Sequence, residues 1–377
     1  MATLVLRNKL FFSYFKHVHK GFAMMSTEMA EFNKKDRQAL LNALPEFIQH
    51  VGKGPVLQQV PTPAANWVKE MVNYMVTGGK LDRGLGVTAA YQFLEAPENI
   101  TEKKLQLARV LGWCAEMTHA YLVIIDDIID CSTTRRGKLC WHRQPHVGIN
   151  AVNDSTLMYQ ALMEVLRTQF ENTPEYKDMV KLVNETVYVT SIGQHLDCTS
   201  SYNKKKNNLE GFTMELFNTI AIYKTSYYTM RFPLYLGLLL VKDGHLKPRK
   251  EWTEICFDLG ILLQLQNDCI DAFGEESVTG KAGSDIQEGK LTWVAVTALQ
   301  LCNDQQREIF KEYYGSDDPD HVKKIQELFK ELKIPQLYEV HESKVYNDLV
   351  NKMNALPTEG ESKFFLNLLN KWYKRVL

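Results

Sequence analysis

LQLARVLGWCAEMTHAYLVIIDDIID, residues 105–130, repeats apolar side chains at three- and four-residue intervals and then ends on Asp126, Asp127 and Asp130. That spacing is the period of an α-helix, and apolar residues fall on every side of it, which marks a helix buried all round. A buried helix that stops on clustered carboxylates delivers negative charge to the end of an apolar wall. This stretch decides the fold class.

Working outward, the same period recurs over residues 157–170, 179–196, 212–241 and 251–273. Breaker-rich stretches separate these runs, among them 52–63, 171–176, 202–208, 242–249 and 274–289. Alternating β-branched runs bounded by tight turns are nearly absent, and neither a fixed repeat nor a low-complexity linker divides the chain. The pattern predicts an all-α protein, a single large domain of about ten helices with several of them central. Residues 28–377 form that domain.

Residues 1–27 differ, because Arg7, Lys9, Lys16 and Lys20 alternate with apolar and aromatic residues and no acid precedes Glu28. This basic, acid-free leader reads either as a mitochondrial transit peptide or as an unstructured arm, giving a mitochondrial or cytoplasmic protein. The 377 residues are 45% hydrophobic with a formal net charge of −1, enough for a large core and too balanced for a nucleic-acid binder relying on positive potential. Seven scattered cysteines without a CxxC pair read as reduced thiols of an intracellular chain. The longest apolar runs fall far short of the ~20 residues of a membrane span. Lys204–Lys206 reads as a solvated loop, and Lys371, Lys374 and Arg375 as a basic tail.

Asp126 and Asp130, four apart, share one helix face with Asp127 flanking them. Such a cluster beside an apolar run repels itself unless a cation sits among the oxygens, and Mg²⁺ takes one or two carboxylates together with water and substrate phosphates. One DDxxD by itself is a weak motif and reads more readily as an acidic helix end in solvent. A second cluster, Asn267-Asp268-Cys269-Ile270-Asp271, closes another apolar run with the same spacing. Two such ends suggest opposite walls of one cavity holding metal ions, with a polyanion between them. Arg135, Arg136, Lys224, Lys281, Lys290, Lys80 and Arg83 supply cations around them.

These segments, with GGKLDRG (78–84), DDIIDCSTTRRG (126–137), IGQHLD (192–197), YKTSYY (223–228) and KWYKRVL (371–377), resemble the farnesyl diphosphate synthases and related trans-isoprenyl diphosphate synthases from about residue 45 to the end. The resemblance implies the helical isoprenoid synthase fold with a central cavity, a homodimer and three Mg²⁺ ions. It implies metal binding by Asp126, Asp130 and Asp268, supported by Asp127, Asn267, Asp271 and Asp285. Arg135, Lys224, Lys281 and Lys290 then bind the allylic diphosphate, while Gln194, Thr225 and the Lys224 carbonyl face the allylic cation. Lys80, Arg83, His119 and Arg136 fall at the site of a second diphosphate. Tyr121, Tyr227 and Tyr228 are candidate lining, and Tyr121 and Leu122, one turn before Asp126, are candidates for a pocket floor that holds products to C10–C15.

Departures gather on the second-substrate side. His119 stands where the family usually has glutamine, Leu263 where an aromatic is usual, Asn267 in place of the first acid of the second motif, and Val376-Leu377 in place of basic residues. An amide oxygen still ligates Mg²⁺ but brings no charge. The expectation is therefore a terpene synthase that ionises farnesyl or geranyl diphosphate and cyclises or quenches the cation. The alternative is a farnesyl or geranyl diphosphate synthase that condenses isopentenyl diphosphate, and a non-catalytic paralogue stands third.

Overall fold

The computed structural model describes residues 29–201, 209–242, 249–274 and 283–372. The leader, Lys204–Lys206, Lys281, Lys374 and Arg375 lie outside them. The order is α1 (residues 29–51), α2 (Pro55–Gln59), α3 (Thr62–Val76), α4 (Asp82–Leu94), α5 (Glu102–Ile129), α6 (Ala151–Phe170), α7 (Tyr176–Ser200), α8 (Met214–Ile220), α9 (Phe232–Leu238) and α10 (Lys250–Phe273), then six further helices from Asp285 to Trp372. The hydrophobic core runs as one cluster from Leu40 to Leu369. Among the described residues no helix is long and apolar enough to cross a membrane.

The opening stretch forms α5, 28 residues capped by Thr101, whose hydroxyl accepts the N–H of Lys104. Its middle is buried on all sides, including Leu111, Trp113, Met117 and Ile124. Each such aliphatic side chain contributes roughly 1.5–3 kcal/mol by leaving water. Trp113 spends its indole N–H on the carbonyl of Leu40 at 3.0 Å, tying α1 to α5. Glycine lets α4 cross α5 closely, since a Cβ at Gly84 would lie 3.1 Å from the Gly112 carbonyl.

Two local features depart from a plain helical reading. The run over 212–241 is not one α-helix, because Ala221–Arg231 winds as a π-helix between α8 and α9. Wider turns rotate side chains relative to an α-helix and often mark functional sites. After α5, Thr134–Arg135 (β1) and Lys138–Leu139 (β2) pair in an antiparallel hairpin. Its connecting residues Arg136 and Gly137 both have positive φ, 54° and 70°. That is the backbone of a tight two-residue hairpin loop.

Candidate active site

α5, α7, the π segment and α10 enclose a cavity of about 740 Å³. Asp126 and Asp130 face it from the end of α5, and Asn267, Asp268 and Asp271 from the end of α10. The two motifs therefore meet across one space. Asp127 does not join them. It is turned about 100° away by the helical step, lies 1% exposed, and pairs with Arg135 at 2.6 Å behind the cavity wall. There it anchors Arg135, whose Nε also donates to it at 2.7 Å.

Asp126 lies 3.3 Å from Lys224 and 3.4 Å from Arg135. Burial by itself would raise its carboxyl, but Lys224, then Arg135 and Lys290, outweigh burial and hold it down at about 2. Asp130 goes the other way, raised by burial and by Asp126, although Lys290 sits 3.1 Å away. α7 brings Gln194 to the cavity wall and, three residues on, Asp197. One oxygen of Asp197 accepts from Lys224 at 2.7 Å and from Lys290 at 3.0 Å. This approach depends on Gly193, where a Cβ would fall 2.2 Å from the backbone nitrogen of Lys224.

The π segment turns Lys224, Thr225 and Tyr228 into the cavity. Tyr227 points elsewhere, packing on Phe257 and under Arg231. Thr225 donates to Gln264 at 2.7 Å, Gln264 donates to Asp268 at 2.8 Å, and Asp268 accepts the N–H of Trp293 at 2.8 Å. Trp293 begins a helix, Trp293–Leu301, so the chain of bonds ends on a helix N-terminus, where negative charge is favoured. Asp268 is 2% exposed, and burial pushes its carboxyl up to about 8. Asp271 accepts the backbone N–H of Asp285 at 2.9 Å. No group of three acids, histidines or cysteines among the described residues converges on one point as a ready-made metal site. The carboxylates are spread over two walls instead.

The cations expected at a second diphosphate divide. Arg83 and His119 reach the cavity. Arg83 donates to the hydroxyls of Tyr228 (3.1 Å) and Thr229 (2.9 Å) and lies over the Tyr228 ring. His119 stacks on the same ring at 5.7 Å. Arg136 sits behind, in a neighbouring crevice, donating to the carbonyls of Met75 (2.9 Å) and Thr77 (3.2 Å) beside Gly79. Lys80 lies just before α4 and off the cavity lining. Burial, then Arg83, Arg136 and Arg135, drive the His119 pKa well down, so the ring is neutral. The buried acid facing this group is Glu116, one oxygen of which accepts the Gly84 N–H at 2.8 Å. From the C-terminal helix, Lys371 turns its ammonium inward toward Asp82 and Asp36.

Leu122 lines the cavity, whereas Tyr121 stacks against Tyr159 of α6, 5.5 Å away, off the lining. Of the two candidates for a floor, only Leu122 faces the cavity. Sequence reasoning assigned no role to Gln264 or Asp197. Gln264 carried a usable signal, since it lies one helical turn before Asp268 and on the same face. Asp197 stands three residues after Gln194, again one turn.

Comparison with known proteins matches residues 65–332 to the family model described as polyprenyl synthetase. The chain is 33% identical over 357 residues to the farnesyl pyrophosphate synthase of Nezara viridula, covering 94% of this chain and 87% of that one. It is 38% identical over 309 residues to farnesyl pyrophosphate synthase 1 of Cannabis sativa, covering 82% and 90%. Among solved structures, T. brucei farnesyl diphosphate synthase complexed with minodronate is similar with a TM-score of 0.85 at 28% identity, over 90% of this chain and 99% of that one.

Proposed function

We propose that this chain, which belongs to the polyprenyl synthetase family and is an enzyme of isoprenoid diphosphates, condenses isopentenyl diphosphate with an allylic diphosphate to give farnesyl or geranyl diphosphate. The observation that carries this reading is the arginine end of the cavity. Arg83 reaches the cavity with its hydrogen bonds spent on the Tyr228 and Thr229 hydroxyls, Arg136 stands behind it on backbone carbonyls, and Glu116 is the buried carboxylate facing them. Such an excess of positive charge is resolved by a second anion. The comparisons lean the same way, since the relatives above are named as farnesyl diphosphate synthases. The expectation of a terpene synthase becomes the second reading, favoured by Asn267 in the second motif.

At the aspartate end, Asp126 and Asp130 on one wall and Asp268, Asp271 and Asn267 on the other would hold Mg²⁺, three ions in the family pattern. Carboxylates spread over two walls suit an ion that completes its shell with water and substrate phosphate. When bound, Mg²⁺ stabilises the charge that develops on departing pyrophosphate. Lys224, Lys290 and Arg135 bind the same diphosphate. Thr225, its proton committed to Gln264, turns oxygen lone pairs to the allylic carbon as positive charge grows there, with Gln194 beside it. Leu122, Val123 and Ile220 keep water from the cation. Arg83 on the cavity wall binds isopentenyl diphosphate so that its alkene faces that carbon, with the charges of Arg136 and Lys80 behind it; a C–C bond forms, and a proton passes to the departed pyrophosphate as the new double bond closes.

Product analysis with Mg²⁺ tests this. Geranyl plus isopentenyl diphosphate is expected to give farnesyl diphosphate. A hydrocarbon or alcohol from farnesyl diphosphate alone, with no elongation, would replace this reading by the second one. A homodimer and mitochondrial import through residues 1–27 belong to the same proposal, to be checked by sedimentation and by fusing that leader to a reporter.

A further inference from the structure

Asp197 is given no role by the proposed mechanism, yet it is an acid that Lys224 and Lys290 share. It is 7% exposed, at the last turns of α7. Lys224 reaches it from the π segment at 2.7 Å and Lys290 from the stretch after Glu288 at 3.0 Å, both on the same oxygen, Oδ2. Burial would raise this carboxyl, but Lys224 and Lys290 outweigh burial and lower it. The lysines also touch the metal motif, Lys224 at Asp126 (3.3 Å) and Lys290 at Asp130 (3.1 Å). Lys290 is further set by its backbone, whose carbonyl accepts the Tyr314 hydroxyl at 2.7 Å.

With Mg²⁺ and substrate bound, Asp126 and Asp130 would be engaged by the metal. The two ammonium groups then face each other with Asp197 as their shared acid. Two like charges bridged by one oxygen stay side by side, and without the bridge they separate. We propose that Asp197 is a positioning residue that holds Lys224 and Lys290 as a pair, at the spacing that grips the two phosphates of the allylic diphosphate. The proposal rests on the assignment of that diphosphate to this end of the cavity.

Calorimetry of inorganic pyrophosphate with Mg²⁺ on the full chain tests it, because the probe needs no turnover. Asp197→Asn is expected to weaken binding roughly tenfold, and Lys290→Met likewise. The double variant Asp197→Asn/Lys290→Met is expected to bind no more weakly than Lys290→Met, since a single lysine needs no tether. Asp197→Glu, which keeps the charge one methylene further out, is expected to fall between wild type and Asp197→Asn. Tighter binding by Asp197→Asn, as an acid that merely opposes the anion would give, overturns the proposal. So do additive losses in the double variant, the mark of a purely structural role, and so does a Glu variant weaker than the Asn one. A wild-type chain that binds pyrophosphate but elongates no prenyl diphosphate would instead count against the condensing reading alone.

Discussion

The two ends of the cavity handle their cations in opposite ways. At the aspartate end, Lys224 and Lys290 lie within 3.3 Å of Asp126, Asp130 or Asp197, and charge is matched by charge. At the arginine end, Arg83 meets hydroxyls and an aromatic face, and Arg136 meets backbone carbonyls. Neutral partners take these hydrogen bonds, and Glu116 is the buried carboxylate facing the two guanidiniums. The balanced end therefore suits a ligand carrying both signs, a metal with its diphosphate. The unbalanced end suits an anion alone.

The contrast breaks hardest at the acids. Asp130→Asn is expected to cut pyrophosphate release from an allylic diphosphate by about 10²–10³-fold, in the range of losing one preorganised electrostatic group. Binding of isopentenyl diphosphate should be preserved; a parallel loss of both would mean that the ends are not separate. Arg83→Met is expected to raise KM for isopentenyl diphosphate by roughly 30-fold, the cost of losing a partner of a buried charge. Slow ionisation of the allylic substrate should continue, and a variant with normal elongation kinetics would deny the arginine end its role.

A finer probe adds charge where the second motif lacks it. Asn267→Asp is expected to lower the Mg²⁺ concentration for half-maximal rate by about threefold to tenfold, as one more nearby negative charge would. An unchanged Mg²⁺ requirement would show that residue 267 does not face the ions. The smallest effect concerns the metal-free chain in chelator. Asp126, held at about 2, and Asp197, also lowered, are stabilised when ionised. Their contribution is complete above the ordinary carboxylate range and is lost as pH falls through that range toward about 2. Thermal melts should show this acid loss, and Asp197→Asn should make it shallower.

Much of this contrast was legible in the chain, and the part that was not has identifiable causes. Asp126 and Asp130 were readable because a four-residue spacing fixes a helix face whatever the surroundings. Asp127, in the same motif, is turned by one step of the helix onto Arg135 and off the cavity lining, a partner that spacing alone does not reveal. Tyr121 and Tyr227 carried a plausible size and position, but their rings go to Tyr159 and Phe257. The terpene-synthase expectation leaned on single-residue departures such as Asn267. Such changes report charge at one atom and do not say whether a second anion site exists elsewhere.

By itself the sequence determined the helical class, the buried α5 and α10, and the delivery of carboxylates to their ends, because periodicity and polarity are local properties. Only the tertiary structure decided which charges meet. Arg135 and Arg136 are neighbours in the chain, yet the positive-φ turn at Arg136 and Gly137 sends one to the aspartates and the other to Met75 and Thr77. Asp197 and Lys290 are far apart in sequence and share a hydrogen bond of 3.0 Å. Electrostatic balance depends on distances across the fold, and no local pattern encodes them.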